Sequence, residues 1–438
     1  MKKINFLPAA VALFFAISAS AQFSIDGQIV QRAEYRHGFG KLIAEGEDPA
    51  AFIAHRARLQ VAYKMEGFSF YMSAQDVRTW GNTSQVKATD PFLSVHEAWA
   101  EVLFSEKFSL KLGRQELNYD NFRFLGNLDW ALQGRAHDFA LLKYEKGDMK
   151  IHLGGGYNQD GQANTGNIFS VPNQYKAAQM MRYENKIGAF NLTLLFWNDG
   201  RQFTVTNSQG QVTDKGIRYR QTIGAPTLRY QLGNTTLSGF YYHQLGKDVT
   251  GKTINAFDLS AQVTQQIDFN QEKGRKLRIV AGAEILSGAS PGEDSDNRSF
   301  SPLYGTNHLF NGYMDHFFVG GSFENNVGLQ DYFIRARYDF GPKLFVQLDV
   351  HQFYSHVRAF DTQGNRLDKS LGTEVDFSLG FIINKAVSLQ SGLSRLFATN
   401  TYERLQGLED NAQNAQQWGY LMMIYRPTMK NRFIGILL

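Results

Sequence analysis

The sequence predicts an all-β protein, a transmembrane antiparallel up-and-down β-barrel of about 18 strands with short periplasmic turns and long external loops. Three observations predict this class. Polar and apolar residues alternate along segments of about ten residues, which is typical of a barrel wall between lipid and a polar lumen. Short and long connectors alternate along the chain, and aromatic residues gather beside the short connectors.

The composition excludes several other classes of protein. The 438 residues include no Cys, which rules out disulfides, thiolate metal sites and cysteine nucleophiles. Basic residues number 45 and acidic residues 41, so no basic surface for nucleic acid is indicated. The 41 Gly and the 14% aromatic residues suit tight turns and interfacial girdles instead.

The first 21 residues have the pattern of a secretory signal peptide. Lys2 and Lys3 precede an apolar stretch at 4–17, and Ala19-Ser20-Ala21 forms a small-residue cleavage site. The apolar stretch is shorter than the ~20 residues of a membrane-spanning helix. We therefore expect an exported chain with its barrel in residues 22–427 and a short C-terminal tail in residues 428–438. The expected location is the outer membrane of a Gram-negative bacterium.

Alternation with a period of two is clearest in residues 343–351. There, Leu344, Val346 and Leu348 face one side, whereas Gln347 and Asp349 face the other. Along the whole chain we predict eighteen strands, an even number as in bacterial barrels. They span residues 23–36, 51–65, 67–79, 94–104, 108–118, 136–146, 149–158, 174–186, 189–197, 217–231, 234–245, 252–267, 275–287, 330–340, 343–356, 371–385, 387–397 and 414–426.

The connectors between these strands sort by length. Tight turns are predicted at 66, 105–107, 147–148, 187–188, 232–233, 341–342 and 386. Long polar loops are predicted at 37–50, 80–93, 119–135, 159–173, 198–216, 288–329, 357–370 and 398–413. An outer-membrane barrel sorts its loops in this way, and a soluble sandwich has no reason to. Aromatic residues beside the tight turns, such as Phe108, Tyr144 and Phe190, fit an interfacial girdle.

Catalytic and metal-binding patterns are few. Residues 288–292 fit the Gly-x-Ser-x-Gly pattern of a nucleophile elbow, but Pro291 lacks the backbone N–H that an oxyanion hole needs after the serine. Glu293, Asp294 and Asp296 offer oxygen ligands for Ca²⁺, although a solvated loop is the simpler interpretation because the spacing is not that of an EF-hand. We therefore expect no catalytic residue, no metal and no cofactor.

Arginines are frequent at positions whose parity points to the lumen. These are Arg32, Arg56, Arg58, Arg218, Arg220, Arg335 and Arg337, and they are interleaved with the acidic residues Asp26, Glu34 and Asp339. A row of permanently charged guanidinium groups in a confined passage would concentrate anions. Alternatively, these arginines pair with carboxylates of the wall and hold the barrel open. The sequence leaves both interpretations open.

Arg114 conflicts with strict alternation. Leu110 and Leu112 face lipid, so the same parity puts Arg114 on the lipid side, where a charge at mid-depth is costly. Either a bulge at Gly113 returns Arg114 to the lumen, or Arg114 lies at the rim. We favour the bulge, because Arg114, Gln115 and Glu116 form a polar cluster.

Several of these residues carry a family resemblance. The segments are 75–81 (QDVRTWG), 97–98 (EA), 113–117 (GRQEL), 123–130 (RFLGNLDW) and 135–138 (RAHD), followed by 304–308 (YGTNH), 310–312 (FNG) and 315–316 (DH). In order and spacing they resemble the alginate-export family of outer-membrane porins. The resemblance implies an eighteen-stranded barrel and passive diffusion of the anionic polysaccharide alginate through an arginine-rich constriction.

By this resemblance, Arg78, Arg114 and Arg135 are pore-lining arginines. Their orienting carboxylates are then Glu116, Asp129 and Asp138, and parity alone adds Arg335 and Arg337. The chain departs from the family pattern in two places. Phe139 stands where many members carry a small residue, which would narrow the lumen, and the last strand is followed by a tail rather than ending at a terminal aromatic.

We therefore expect a monomeric outer-membrane diffusion channel with an arginine-bearing lumen for anionic solutes, such as alginate or uronate oligosaccharides. Its expected partners are membrane lipid and an anionic oligo- or polysaccharide or another small solute. The alternatives are a general nutrient porin without anion preference, a barrel enzyme, and a structural barrel with a plugged lumen. An enzyme would need His308, His316 or His351 beside a nucleophile near the rim.

Overall fold

The computed structural model describes residues 22–86, 89, 91–167, 174–289, 296–318, 326–361, 363–409, 411–428 and 432–436. The expected signal peptide, residues 1–21, lies outside these ranges. So do Ser290 to Gly292 of the elbow-like pattern and residues 293–295 of the acidic loop. No helix within the described ranges has both the length and the apolarity to cross a membrane.

Eighteen antiparallel strands form one sheet that closes on itself. The strands are β1 (Gln22–His37), β2 (Ala50–Met65), β3 (Phe68–Thr79), β4 (Leu93–Leu103), β5 (Phe108–Gln115), β6 (His137–Lys146), β7 (Met149–Tyr157), β8 (Ala177–Ile187), β9 (Phe190–Thr206), β10 (Val212–Leu232), β11 (Thr235–Lys247), β12 (Thr253–Asn270), β13 (Arg275–Leu286), β14 (Leu329–Asp339), β15 (Leu344–Tyr354), β16 (Ser370–Ile382), β17 (Val387–Ala398) and β18 (Gln416–Tyr425). Each strand pairs with its neighbours in sequence, and β1 also pairs with β18. The predicted fold class is thereby confirmed.

The wall has the polarity of a membrane barrel. On β15, Leu348 is 45% exposed, whereas Gln347 and Asp349 on the opposite face are each 1% exposed. Apolar residues outside and polar residues inside reverse the arrangement of a soluble protein. Aromatic rings pair on the outer face beside the short turns, as in Phe108 with Tyr144 at 4.7 Å and Phe190 with Tyr230 at 4.4 Å between ring centroids.

One predicted loop is largely strand. β9 continues to Thr206 and β10 begins at Val212, so most of the predicted loop at 198–216 is part of the sheet. The two strands are joined by a tight turn in which the Asn207 side chain accepts hydrogen bonds from the backbone of Gln209 and Gln211. Thr204, Val205 and Thr206 are residue types that favour strands, which explains why pairing continues beyond the predicted end of β9.

Two loops and the chain end fold into the barrel. The β5–β6 loop (residues 116–136) and the β13–β14 loop (residues 287–328) bury apolar side chains, among them Phe124, Trp130 and Met314. Each loop contains a 3₁₀ turn, Asp129–Ala131 and Asn307–Leu309. The C-terminal tail (residues 428–438) buries Phe433 and Ile434. A short helix, α1 (Asn400–Leu405), lies in the β17–β18 loop.

Candidate functional site

The two inward loops meet inside the barrel through stacked rings. The indole of Trp130 lies 4.0 Å from the imidazole of His308, with only 4° between the ring planes. On the wall, the Arg32 guanidinium lies 3.9 Å from the Trp130 ring centroid, and Tyr420 packs edge-on at 5.1 Å. The β5–β6 and β13–β14 loops therefore brace each other against β1 and β18.

Asp129 ties the β5–β6 loop to the lumen wall. Its carboxylate lies 2.8 Å from Arg56 Nη1 on β2 and 2.6 Å from Arg426 Nη2 just after β18. Burial by itself would raise the pKa of Asp129, but the two guanidinium groups hold that pKa well below its ordinary value. Asp129 thus orients arginines, although its partners are Arg56 and Arg426 rather than the arginines named by resemblance.

Glu116 lies at the start of the β5–β6 loop and also faces the lumen. Its Oε1 is 2.9 Å from His96 Nε2 and 3.9 Å from Arg58 Nη1. Within the described residues, His96, Glu97 and Glu116 form the group whose ligand atoms lie close enough to hold a metal ion, within 4.8 Å of one another. His96 and Glu97 lie on β4 and Glu116 directly follows β5, so their spacing in the sequence did not reveal the group.

Arg135 reaches the lumen, and no acidic side chain among the described residues pairs with it. Its Nη1 donates to the carbonyl oxygen of Gly305 at 2.8 Å, which links the two inward loops. Burial lowers the pKa of Arg135 to about 10, partly offset by nearby Tyr304. With Tyr304 and His137, Arg135 borders a cavity of about 290 Å³ at the external end of β6.

Arg114 and Asp138 lie at the rim of the barrel, where they border the same cavity of about 290 Å³ as Arg135. They face each other in the register of β5 and β6, and their side chains are 42% and 59% exposed, whereas Gln115 points inward and is fully buried. The register with β4 and β6 runs through Gly113 without a shift, so the predicted bulge is wrong and Arg114 lies at the rim. Gly113 has φ +122°, and a Cβ there would lie 2.3 Å from Ala98 O, which explains the glycine.

Arg78 is also on the outer face, so its assignment as pore-lining is corrected. It pairs in register with His55 of β2 and shares its face with Asp76, whose Oδ1 accepts from Arg78 Nε at 2.7 Å. The intervening Gln75 and Val77 point inward, where the Gln75 amide oxygen accepts two bonds from Arg58. Charges are tolerated on the outer face near the interface because their cost falls steeply away from the bilayer midplane.

Arg335 and Arg337 face the lumen, and each is paired with a carboxylate. Arg335 Nε lies 2.8 Å from Asp349 Oδ2, and Arg337 Nη2 lies 2.9 Å from Asp339 Oδ1. Arg337 also lies over the ring of Phe345 at 3.6 Å. These contacts match the second interpretation of the arginine row, in which the arginines hold the wall together.

The histidines considered for an enzyme are engaged elsewhere. His308 Nδ1 lies 2.6 Å from Asp315 Oδ1, and His351 Nδ1 lies 2.9 Å from the Asp331 carboxylate. The ring nitrogens of His316 contact Gly38 O at 2.7 Å and Tyr402 Oη at 3.1 Å. None of these bonds involves a serine.

Phe139 occupies the lumen side of β6. It is buried and stacks on Trp197 at 5.7 Å with 9° between the planes. On β7, Gly154 lies opposite Leu141, and a Cβ there would lie 2.2 Å from the Phe139 ring. The large residue is thus accommodated by a glycine beside it.

Two cavities lie against β10 to β13. The mid-lumen cavity of about 390 Å³ is bordered by Leu309 and Asn311 of the β13–β14 loop and by Arg335 of the wall. The periplasmic cavity of about 350 Å³ reaches the short β10–β11 turn at Gly233 and is bordered by Arg278. Both cavities are also lined by Arg229, Ser238 and Gln262.

Sequence reasoning missed Arg229 because of an irregularity in β10. The register with both neighbouring strands shifts between Gly224 and Thr227. Strict alternation from Arg220 onward would turn Arg229 toward lipid, whereas the shift returns it to the lumen. Pro226, a residue confined to edges and bulges within sheets, was the signal that could have revealed the change of parity.

Comparison with known proteins identifies the family to which this chain belongs. The family model for alginate export matches residues 22–416, nearly the whole chain. The chain belongs to the alginate export family. No curated protein sequence matches it.

Solved structures with the same fold include proteins of Pseudomonas aeruginosa, among them the outer membrane protein OpdK. OccK10 (OpdN) superposes with a TM-score of 0.55 at 14% identity, and the match covers 92% of this chain and 98% of that one. OpdK gives a TM-score of 0.54 at 13% identity with the same coverage. OccK11 (OpdR) gives 0.54 at 12% identity, covering 92% of this chain and 95% of that one. Family and fold together indicate an outer-membrane channel rather than an enzyme.

Proposed function

We propose that this member of the alginate export family is a passive diffusion channel that prefers anionic solutes, with carboxylated sugars such as uronate oligosaccharides as its solute class. One observation carries the proposal. The periplasmic cavity contains two arginines, Arg229 and Arg278, and no carboxylate among the described residues that line it. Its other lining side chains are amides and hydroxyls, which suit the hydroxyl groups of a sugar.

The proposed mechanism needs no energy source. A guanidinium group attracts a carboxylate, and the surrounding amides and hydroxyls replace part of the water around the sugar ring. Conduction requires that this binding admit the solute and still release it. Buried pairs such as Arg335 with Asp349 are neutralised within the wall, so they support the lumen and leave solute binding to unpaired groups.

The test uses the purified barrel in planar bilayers. In a KCl gradient the reversal potential should report a preference for Cl⁻ over K⁺, and liposome swelling should be faster with galacturonate oligomers than with neutral sugars of equal size. A cation-selective channel would contradict the proposal.

Two alternatives each rest on a specific observation. Pairing of Arg335 and Arg337 with carboxylates favours a general porin without anion preference, for which the reversal potential would be near zero. The two inward loops favour a plugged structural barrel, for which no conductance would be seen. The same recordings separate both alternatives from the proposal.

A further inference from the structure

The lumen is filled unevenly around its circumference. On one side, the inward loops pack against large inward side chains such as Trp418 and Tyr420. On the other side, the periplasmic halves of β11 and β12 present the shorter polar residues Thr236, Ser238 and Thr264. Among the described residues, the mid-lumen and periplasmic cavities both lie beside β10 to β13.

The mid-lumen and periplasmic cavities adjoin there. They share Arg229, Ser238 and Gln262, so a solute that leaves one cavity passes these side chains to enter the other. We infer that Arg229 is the carboxylate-binding residue of an off-axis solute passage along β10 to β13, and that Ser238 and Gln262 bind the hydroxyl groups of the same sugar acid. This inference rests on the proposed channel function and assigns a site within it.

Arg229 differs from the other arginines of the two cavities. Arg335 is held by Asp349 at 2.8 Å, and Arg278 Nη2 lies 3.4 Å from Asp339 Oδ2. The Arg229 side chain is exposed to the lumen, and among the described residues it has no hydrogen bond or ion pair. All five of its N–H donors are thus available to a carboxylate.

The register places a hydroxyl and an amide beside this guanidinium. Arg229 of β10 is directly opposite Ser238 of β11, and Ser238 is directly opposite Gln262 of β12. The Gln262 amide donates to Ser238 Oγ at 3.1 Å, which fixes the pair on the lumen face. Because neighbouring strands lie about 4.8 Å apart, the three side chains form a row about 10 Å long. A single sugar acid spans such a row with its carboxylate at one end.

The experiment measures block of single-channel current by galacturonate, by galactose and by propionate. The unmodified channel should be blocked most strongly by galacturonate. Arg229→Gln should weaken block by both carboxylates about fourfold or more, the effect of removing one unit charge about 5 Å away in water. Gln262→Ala should weaken block by galacturonate and leave block by propionate unchanged. Arg275→Gln is the matched control, because Arg275 is exposed and lines neither cavity.

The outcomes separate the inference from the function on which it rests. An anion-selective channel in which Arg229→Gln and Arg275→Gln leave block equally unchanged would overturn the assignment and leave the proposed function standing. A channel that prefers cations, or one that does not conduct, would overturn the proposed function itself. If Arg229→Gln yields little folded barrel, Arg229→Lys serves instead, since it keeps the charge and loses the planar fork. It should weaken the preference for galacturonate over galactose, and an unchanged preference would also count against the assignment.

Discussion

Acidification should loosen the β13–β14 loop from the external rim, because His316 is buried in its neutral form. Its ring nitrogens contact Gly38 O on the β1–β2 side and Tyr402 Oη of α1. Burial lowers the pKa of His316 to about 4 from an ordinary value of 6.5, with the bond to Gly38 O opposing the shift. The detached loop would therefore bind a proton more readily than the docked loop at intermediate pH.

The size of the effect follows from this difference in pKa. Neutral His316 contributes its full share to the free energy of loop docking above pH 6.5. That contribution falls by about 1.4 kcal/mol for each pH unit between 6.5 and about 4. At about pH 5 the loss is about 2 kcal/mol, a shift of about thirtyfold in the ratio of docked to detached loop. The stabilisation thus declines as the pH falls, and it is fully lost once the docked histidine itself is protonated.

Limited proteolysis of the barrel in vesicles at pH 7.5 and pH 5 measures this change. His316→Gln keeps a donor for Gly38 O and an acceptor for Tyr402 Oη but does not titrate, so cleavage of the loop should no longer increase in acid. His308→Gln is the control in the same loop, because His308 contacts Asp315 of its own loop and not the external rim. Equal acid responses of the unmodified protein and His316→Gln would refute the reasoning.

Three further predictions concern the lumen and its rim. Asp129→Asn leaves the buried guanidinium groups of Arg56 and Arg426 without their carboxylate, so the free energy of unfolding measured in urea should fall by about 3–5 kcal/mol. A fall below about 1 kcal/mol would contradict the anchoring role of Asp129. Arg114→Ala should leave ion selectivity unchanged and alter stability by less than about 1 kcal/mol, because Arg114 lies at the rim, is 42% exposed and is paired with Asp138. A clear change of reversal potential would contradict this expectation. Deleting the C-terminal tail should raise single-channel conductance, because the tail lies inside the barrel. There, the Gln390 side chain donates to Ile434 O at 2.7 Å and accepts from Ile434 N at 3.0 Å. Unchanged conductance would show that the tail does not obstruct the passage.

The wall was predictable because alternation is a local property. The alternation of Leu348 with Gln347 and Asp349 fixes which side faces lipid, whatever the rest of the chain does. The predicted end of β9 was wrong because pairing continues beyond the hydrocarbon layer, where alternation no longer marks a boundary. Strand bounds therefore depend on turn chemistry, here at Asn207, rather than on polarity.

The site was less predictable, because the alternation of side chains shows which face of the sheet a residue is on but not how far it lies from the bilayer midplane. Arg78 and Arg114 share a face with lipid-exposed residues and lie where strands approach the rim, a distinction that the sequence pattern does not carry. Arg229 was missed for a different reason, since one irregularity in β10 reverses parity for the rest of the strand. Contacts between the inward loops, such as Trp130 with His308, join residues 178 positions apart and have no local signal.

The near equality in number of acidic and basic residues fits the pairing of lumen arginines with carboxylates of the wall. Lumen arginines such as Arg32 and Arg335 lie beside Glu34 and Asp349, and each pair is nearly neutral to a passing solute. A channel built this way gains no selectivity from the number of its arginines, because each added pair contributes opposite charges. Its selectivity must come from a guanidinium that the wall leaves unpaired at a point that the solute has to pass. Arg229 has no ion pair among the described residues and borders both cavities, so we expect a single substitution there to change solute binding more than removal of any paired arginine.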